Sequence, residues 1–358
     1  MKIPELRIGS LTARIPIVQG GMGVGISMSG LAGAVARSGG IGVISTVGIG
    51  FYMPEIYVEQ VKTNIKALHE QITSARQKAA GGIIGVNIMV AIREFEEMVK
   101  ASISAGADII FAGAGLPTDL PALVAGTKVL IAPIISSAKA ASVICRAWSK
   151  RYNRYPDAIV LEGPLAGGHL GFSIPDLEKG NESSLSTLLG EVLEVVRGFE
   201  VAAARPIPVI AGGGVWDGVD IARLLSQGAS GVQMATRFVT TEECDASAGF
   251  KQAYLEAQGP EDMMIISSPV GLPGRALRNS FLLRVSEGET VPTECVHTCL
   301  KTCKPLEAPY CIAKALINAQ RGLFEAGFAF AGANAWRCEK IVTVQALMDE
   351  LVRGVEEA

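Results

Sequence analysis

Eight short runs rich in Val and Ile recur between residues 15 and 234, and helical patterns separate them. They are residues 15–18, 41–45, 83–86, 109–111, 129–132, 158–161, 208–211 and 231–234. Continuous apolar runs without alternation are what strands buried on both faces require. Helical patterns fall near residues 29–37, 54–79, 93–104 and 185–198, after Ser136 and Ser137, and from Asp217. Such alternation leaves two architectures, an open doubly wound sheet or a closed barrel. Turns suited to a ligand follow almost every run rather than one switch point. That favours an α/β fold of the (β/α)8 TIM-barrel type, whose chemistry gathers at the C-terminal ends of several strands.

The pattern breaks after about residue 242. Residues 244–334 carry Gly and Pro punctuation and a knot of Cys and His, with no strand run of the earlier kind. They read as a smaller, mainly helical cap inserted near the C-terminus. Residues 1–243 then form the barrel, and 335–358 return to its wall.

The strongest site signal stands where the sixth run ends, in Glu162-Gly163-Pro164-Leu165-Ala166-Gly167-Gly168-His169. Glycines let backbone N–H groups approach a ligand closely. His169 can give or take a proton near neutral pH. A satisfied structural histidine is the plainer reading, but a place at a strand end favours function. After the seventh and eighth runs come Gly212-Gly213-Gly214 and Met234-Ala235-Thr236. In barrels these two loops commonly make a phosphate site from backbone N–H groups and a helix start. After the first run, Gln19-Gly20-Gly21-Met22-Gly23 lacks the GxGxxG spacing of a dinucleotide fingerprint. It suits a flat ring lying on the backbone. Asn87 is a polar residue at the end of the third run, and a buried amide must bond to something. Backbone and a ligand ring are both open as its partner.

Together these motifs resemble the nitronate monooxygenase family, once called 2-nitropropane dioxygenases, with flavin-dependent enoyl-ACP reductases as kin. The resemblance runs over about residues 10–240 and the segment 274–279. It implies a TIM barrel holding one FMN. On that reading Gly20, Gly21, Met22 and Asn87 meet the flavin ring. Ala166, Gly167 and Gly168 also contact the cofactor, and Gly212, Gly213, Gly214, Met234, Ala235 and Thr236 hold its phosphate. His169 is the catalytic histidine over the ring. Two departures stand out: Pro164-Leu165 where relatives often have Glu-Ala, and Ser136-Ser137 where some nitronate monooxygenases have Lys.

Cys295, His297, Cys299, Cys303 and Cys311 crowd into one segment. On a helix, residues 295, 299 and 303 would share a face. Their spacing matches no recognised zinc or iron–sulfur signature, so no metal is expected. Buried thiols that pack as small apolar residues are the plainer reading; a thiol lining the substrate pocket is the other, with Cys311 the first candidate.

A net charge of −3 excludes a basic nucleic-acid footprint. No apolar stretch reaches the ~20 residues of a membrane span. Residues 1–16 lack a signal-peptide core, so a cytoplasmic protein is expected. The resulting reading is an FMN-dependent oxidoreductase acting on a small molecule. It oxidises alkyl nitronates, with O2 as electron acceptor, to a carbonyl compound and nitrite. An NAD(P)H-dependent FMN reductase acting on an enoyl thioester or quinone is the alternative. A flavin-free binding or redox-sensing protein is a third reading, and a homo-oligomer stays open.

Overall fold

The computed structural model describes residues 1–180, 183–292, 295 and 299–358. Its centre is a closed barrel of eight parallel strands. In chain order these are Ile17–Gln19, Ile41–Ser45, Ile83–Met89, Ile109–Gly113, Leu130–Ile135, Ile159–Glu162, Val209–Gly212 and Gly231–Met234. Consecutive strands pair, and the eighth closes on the first through Val232↔Ile17 and Met234↔Gln19. Every expected run is a barrel strand, with ends shifted by a few residues.

Inward side chains of the strands, among them Val18, Val43, Phe111, Val160 and Ile210, fill the lumen. A short hairpin joins them, Leu6–Ile8 paired with Leu11–Ala13. Leu6, Ile8 and Ala13 pack into this same lumen cluster. The hairpin lies at the strands' N-terminal ends, where Leu6 crowds Gly231 and Gly9 crowds Leu130. It is a floor to the barrel that the sequence reading did not contain.

Helices cover the outside. The helix Ser29–Arg37 sits so tightly on the second strand that a Cβ at Gly42 would lie 1.8 Å from the Ala32 carbonyl oxygen. That glycine is explained by packing. The terminal helix Val344–Glu357 buries Leu347, Met348, Leu351 and Val355 against the helices at Ser29–Arg37 and Gly218–Ser226.

The cap carries helices at Ala248–Leu255, Ser280–Ser286 and Ile312–Gln320, and also a β-hairpin, Met263–Ser267 with Pro273–Leu277. The second hairpin strand also pairs with Gly168–His169. The cap is therefore stitched to the loop after the sixth barrel strand through backbone hydrogen bonds.

None of the described residues of the cysteine segment, Cys295 and 299–303, is helical. Cys299 and Cys303 lie in irregular backbone, and Leu300 makes an isolated bridge to Ile92. His297 lies outside the described residues. No helix among the described residues is long and apolar enough to cross a membrane.

Candidate active site

A cavity of about 260 Å³ opens at the C-terminal ends of the barrel strands, under the cap. Gly20, Gly21, Met22, Asn87, Gly167, Gly168, His169, Ala235 and Thr236 all line it. A smaller recess of about 70 Å³ lies beside it and is lined by Ala166, Gly213, Gly214 and Met234. Glu162, Gly167, Gln233, Ala235, Thr236 and Gly332 belong to both walls. Of the residues singled out from sequence, Gly212 alone lines neither space. It is the last residue of the seventh strand, and its Cα faces the Gln233 backbone.

The glycine floor has a steric cause. A Cβ at Gly21 would stand 2.3 Å from the Asn87 Cβ. Only a bare backbone fits beside that amide. Asn87 itself reaches the Phe111 carbonyl at 3.5 Å, the outer limit of a hydrogen bond. Its half-buried amide therefore keeps capacity for a second partner in the cavity. Gln19 is the more firmly held amide: it donates to Gly20 O at 2.5 Å and accepts from Val43 N at 3.0 Å.

His169 is placed by the cap. Its Nε2 lies 2.8 Å from Ser268 Oγ, and its ring centroid is 4.8 Å from that of Phe330. Ser268 Oγ also accepts from Val270 N at 3.2 Å. Burial pushes the imidazole pKa down to about 4. The ring is therefore neutral near pH 7, able to donate from one nitrogen and accept at the other.

The turn before His169 is held from outside. Arg275 is buried, and its Nη1 donates to the carbonyls of Pro164 and Ala166. Arg275 thus clamps this turn across more than a hundred residues. Ser137 caps the helix Ala138–Tyr152 by accepting from Ala140 N, and Ser136 donates to the Gly171 carbonyl. Neither serine lines the cavity.

Glu162, quoted in the motif but not singled out, faces both spaces. Burial alone drives its carboxyl pKa up to about 8, so the protonated form prevails at neutral pH. A neutral carboxyl at the junction of the two spaces carries no charge to repel an anion and can donate a hydrogen bond. Its signal was its place as the final residue of the sixth strand. Ser268 and Arg275 carried no local signal, because their partners lie about a hundred residues away.

Phe51, Ile56, Ile92, Leu316, Ile317 and Phe330 give the cavity an extensive apolar wall. At one wall Glu94 accepts from Gln60 at 3.1 Å and Asn64 at 2.6 Å. Cys299 lines the cavity and Cys311 does not. The expectation for Cys311 is thus corrected: it caps the start of the helix Ile312–Gln320, facing away from the main cavity.

Known proteins share this architecture. The structure of FabK from Thermotoga maritima superposes with a TM-score of 0.74 at 26% identity, over 96% of this chain and 93% of that one. A nitroalkane oxidase from Streptomyces ansochromogenes shares the fold, with a TM-score of 0.72 at 22% identity, over 97% of both chains. Among curated sequences, a 5-hydroxy-7a-methyl-1-oxo-octahydro-1H-indene-4-carboxyl-CoA dehydrogenase of Mycobacterium tuberculosis is 28% identical over 76% of this chain. The alignment spans 66% of that relative's length. A probable nitronate monooxygenase of Staphylococcus aureus is 26% identical over 78% of this chain and 79% of its own length. Residues 5–354 match the family model described as nitronate monooxygenase.

Proposed function

Since this chain belongs to the nitronate monooxygenase family, whose members and FabK kin are flavin-dependent in general, we propose that it binds FMN and oxidises alkyl nitronates. O2 is the electron acceptor, and the products are a carbonyl compound and nitrite. The observation that carries the reading is a neutral, cap-held His169 facing a cavity whose floor is bare glycine backbone and whose outer wall is largely apolar.

The residues present fit a flavin mononucleotide. Gly20 and Gly21 leave a flat floor on which Asn87 offers an amide with spare capacity. The joined recess, with Gly213, Gly214, Ala235 and Thr236 in its wall, has room for one phosphate. The motifs leave no glycine turn with dinucleotide spacing for a second nucleotide, which favours FMN over FAD.

When bound, the flavin supplies the electron-accepting ring; the protein supplies position and electrostatics. With Ser268 Oγ donating to Nε2, His169 would offer its Nδ1–H as a hydrogen-bond donor to a nitronate oxygen. Ser268 fixes which nitrogen is free. Glu162, protonated and lining both spaces, would not oppose a phosphate's charge. The apolar walls strip water from the substrate, which strengthens the His169 hydrogen bond.

One observation favours a second reading. The apolar wall formed by Phe51, Ile56, Ile92, Leu316 and Ile317 is more extensive than a two- or three-carbon nitronate needs. It would suit the longer acyl group of an enoyl thioester, the substrate of an NAD(P)H-dependent reductase. Anaerobic stopped-flow mixing separates the two. Rapid bleaching of the flavin by ethyl or propyl nitronate, with slow bleaching by NADH and NADPH, is the expected result. The reverse order would replace the monooxygenase reading with the reductase.

A further inference from the structure

Cys295, Cys299, Cys303 and Cys311 all line a second cavity of about 70 Å³, separate from the recess beside the glycines. None of the four is in a disulfide. Arg93 and Tyr310 complete its polar wall. Tyr310 is only 3% exposed, and its hydroxyl finds no hydrogen-bond partner among the described residues. A buried hydroxyl left unpaired costs about 1–3 kcal/mol, so something in that cavity is expected to meet it.

The thiol-bearing segment is firmly anchored. Arg93 N donates to Cys299 O at 3.0 Å, Arg93 Nε to Leu300 O at 3.2 Å, and Lys301 N to Ala91 O at 2.9 Å. Val291 N closes the segment's other end on Pro309 O at 2.7 Å. Cys311 is the residue that precedes, and caps, a nine-residue helix. The four sulfurs thus arrive from a braced loop and a helix end, an arrangement that the helical reading of the sequence hid.

A single tetrahedral ion is the wrong occupant. Zinc holds each thiolate at about 2.3 Å, which draws the sulfurs together around one point. Among the described residues no three Cys, His, Asp or Glu side chains are placed to hold one ion. The sulfurs surround a space instead. We infer that Cys295, Cys299, Cys303 and Cys311 are the ligands of a four-iron, four-sulfide cluster occupying this cavity.

The rest of the wall suits that occupant. A cubane with four thiolates carries net negative charge, and Arg93 is the cation beside it. The Tyr310 hydroxyl gains a sulfur acceptor, and hydrogen bonds to cluster sulfur are a recognised tuning element. A coordinated thiol is deprotonated outright. Cys299 and Leu300 line both this cavity and the main one, so the cluster would share a wall with the proposed flavin site.

The test uses the full chain, purified anaerobically from iron-supplemented cells and, separately, reconstituted with ferrous iron and sulfide. Iron, acid-labile sulfide and zinc are counted per chain, and an EPR spectrum is taken after dithionite reduction. About four iron and four sulfide per chain, with a reduced-cluster EPR signal, is the expected result. Cys303→Ser and Cys311→Ser should each lose iron, sulfide and signal while far-UV circular dichroism stays native. One zinc per chain, disulfides, or four freely reactive thiols with no iron after reconstitution would each overturn the assignment. Should the variants fail to fold, the metal and sulfide counts on the unaltered chain still decide.

Discussion

Arg275 Nη1 donates to the Ala166 carbonyl at 2.9 Å, across 109 positions of sequence. The same atom reaches the Pro164 carbonyl. Through this contact the cap sets the shape of the turn that presents His169. Lysine offers one point charge in place of a planar fork. We expect Arg275→Lys to lose about 1.5–3 kcal/mol of stability and to lower kcat more than flavin content. Thermal melts and steady-state kinetics on one preparation check both. An unchanged melting temperature would remove Arg275 from the scaffold of the site.

His169→Ala is expected to retain flavin and to lose turnover by about 10²–10⁴-fold, the usual contribution of a positioned acid–base group. Because the folded imidazole titrates near 4, the neutral form works throughout the mildly acidic range. The acid limb of kcat/KM should therefore fall near pH 4, well below the ordinary histidine value. The linked stability change has a definite sign. Between about 6.5 and 4 the unfolded chain binds the proton and the folded chain does not, so stability falls as pH falls through that window. A pH-rate profile and urea melts at matched pH values test the two halves separately.

Glu162 titrates near 8, so its neutral form dominates at pH 7. FMN affinity should weaken as pH rises through that value and a carboxylate appears beside the phosphate recess. Glu162→Gln, neutral at every pH, should abolish the dependence while keeping the affinity seen at pH 7. Flavin fluorescence titrations on either side of the transition measure it. A wild-type affinity that does not change with pH would place the Glu162 carboxyl away from the phosphate.

Gly21→Ala introduces a Cβ 2.3 Å from the Asn87 Cβ. Overpacking of this kind costs about 1–3 kcal/mol, and here it also raises the cavity floor. The variant should fold with reduced stability and bind FMN poorly. Adding Asn87→Gly should relieve the clash and recover the melting temperature, without recovering full flavin affinity. Restoration of both would show that the amide contributes nothing to the cofactor.

The barrel was legible because buried parallel strands must be apolar on both faces, and 41–45 and 109–111 could hardly be anything else. The glycine-rich turns were legible because their strand-end position marks where ligands bind, and all but Gly212 face one of two joined spaces. What escaped was non-local. The floor hairpin Leu6–Ile8 and Leu11–Ala13 has strands of three residues, too short for any period to declare itself. The cap hairpin is local, but Arg275 and Ser268 act on Pro164, Ala166 and His169 about a hundred residues away, so their roles could not be read from their neighbours. The cysteines misled for a physical reason: their four-residue spacing satisfies a helical face, while the backbone from Cys299 instead crosses the loop after the third barrel strand.

The hairpin beneath the lumen makes the barrel a room with one door. With Leu6, Ile8 and Ala13 seated among the inward side chains, nothing can enter or leave through the strands' N-terminal ends. Whatever the site takes up or releases must pass the cap side. Exchange rates should therefore answer to changes in the cap and be indifferent to conservative changes in the hairpin, which should register only in the melting temperature.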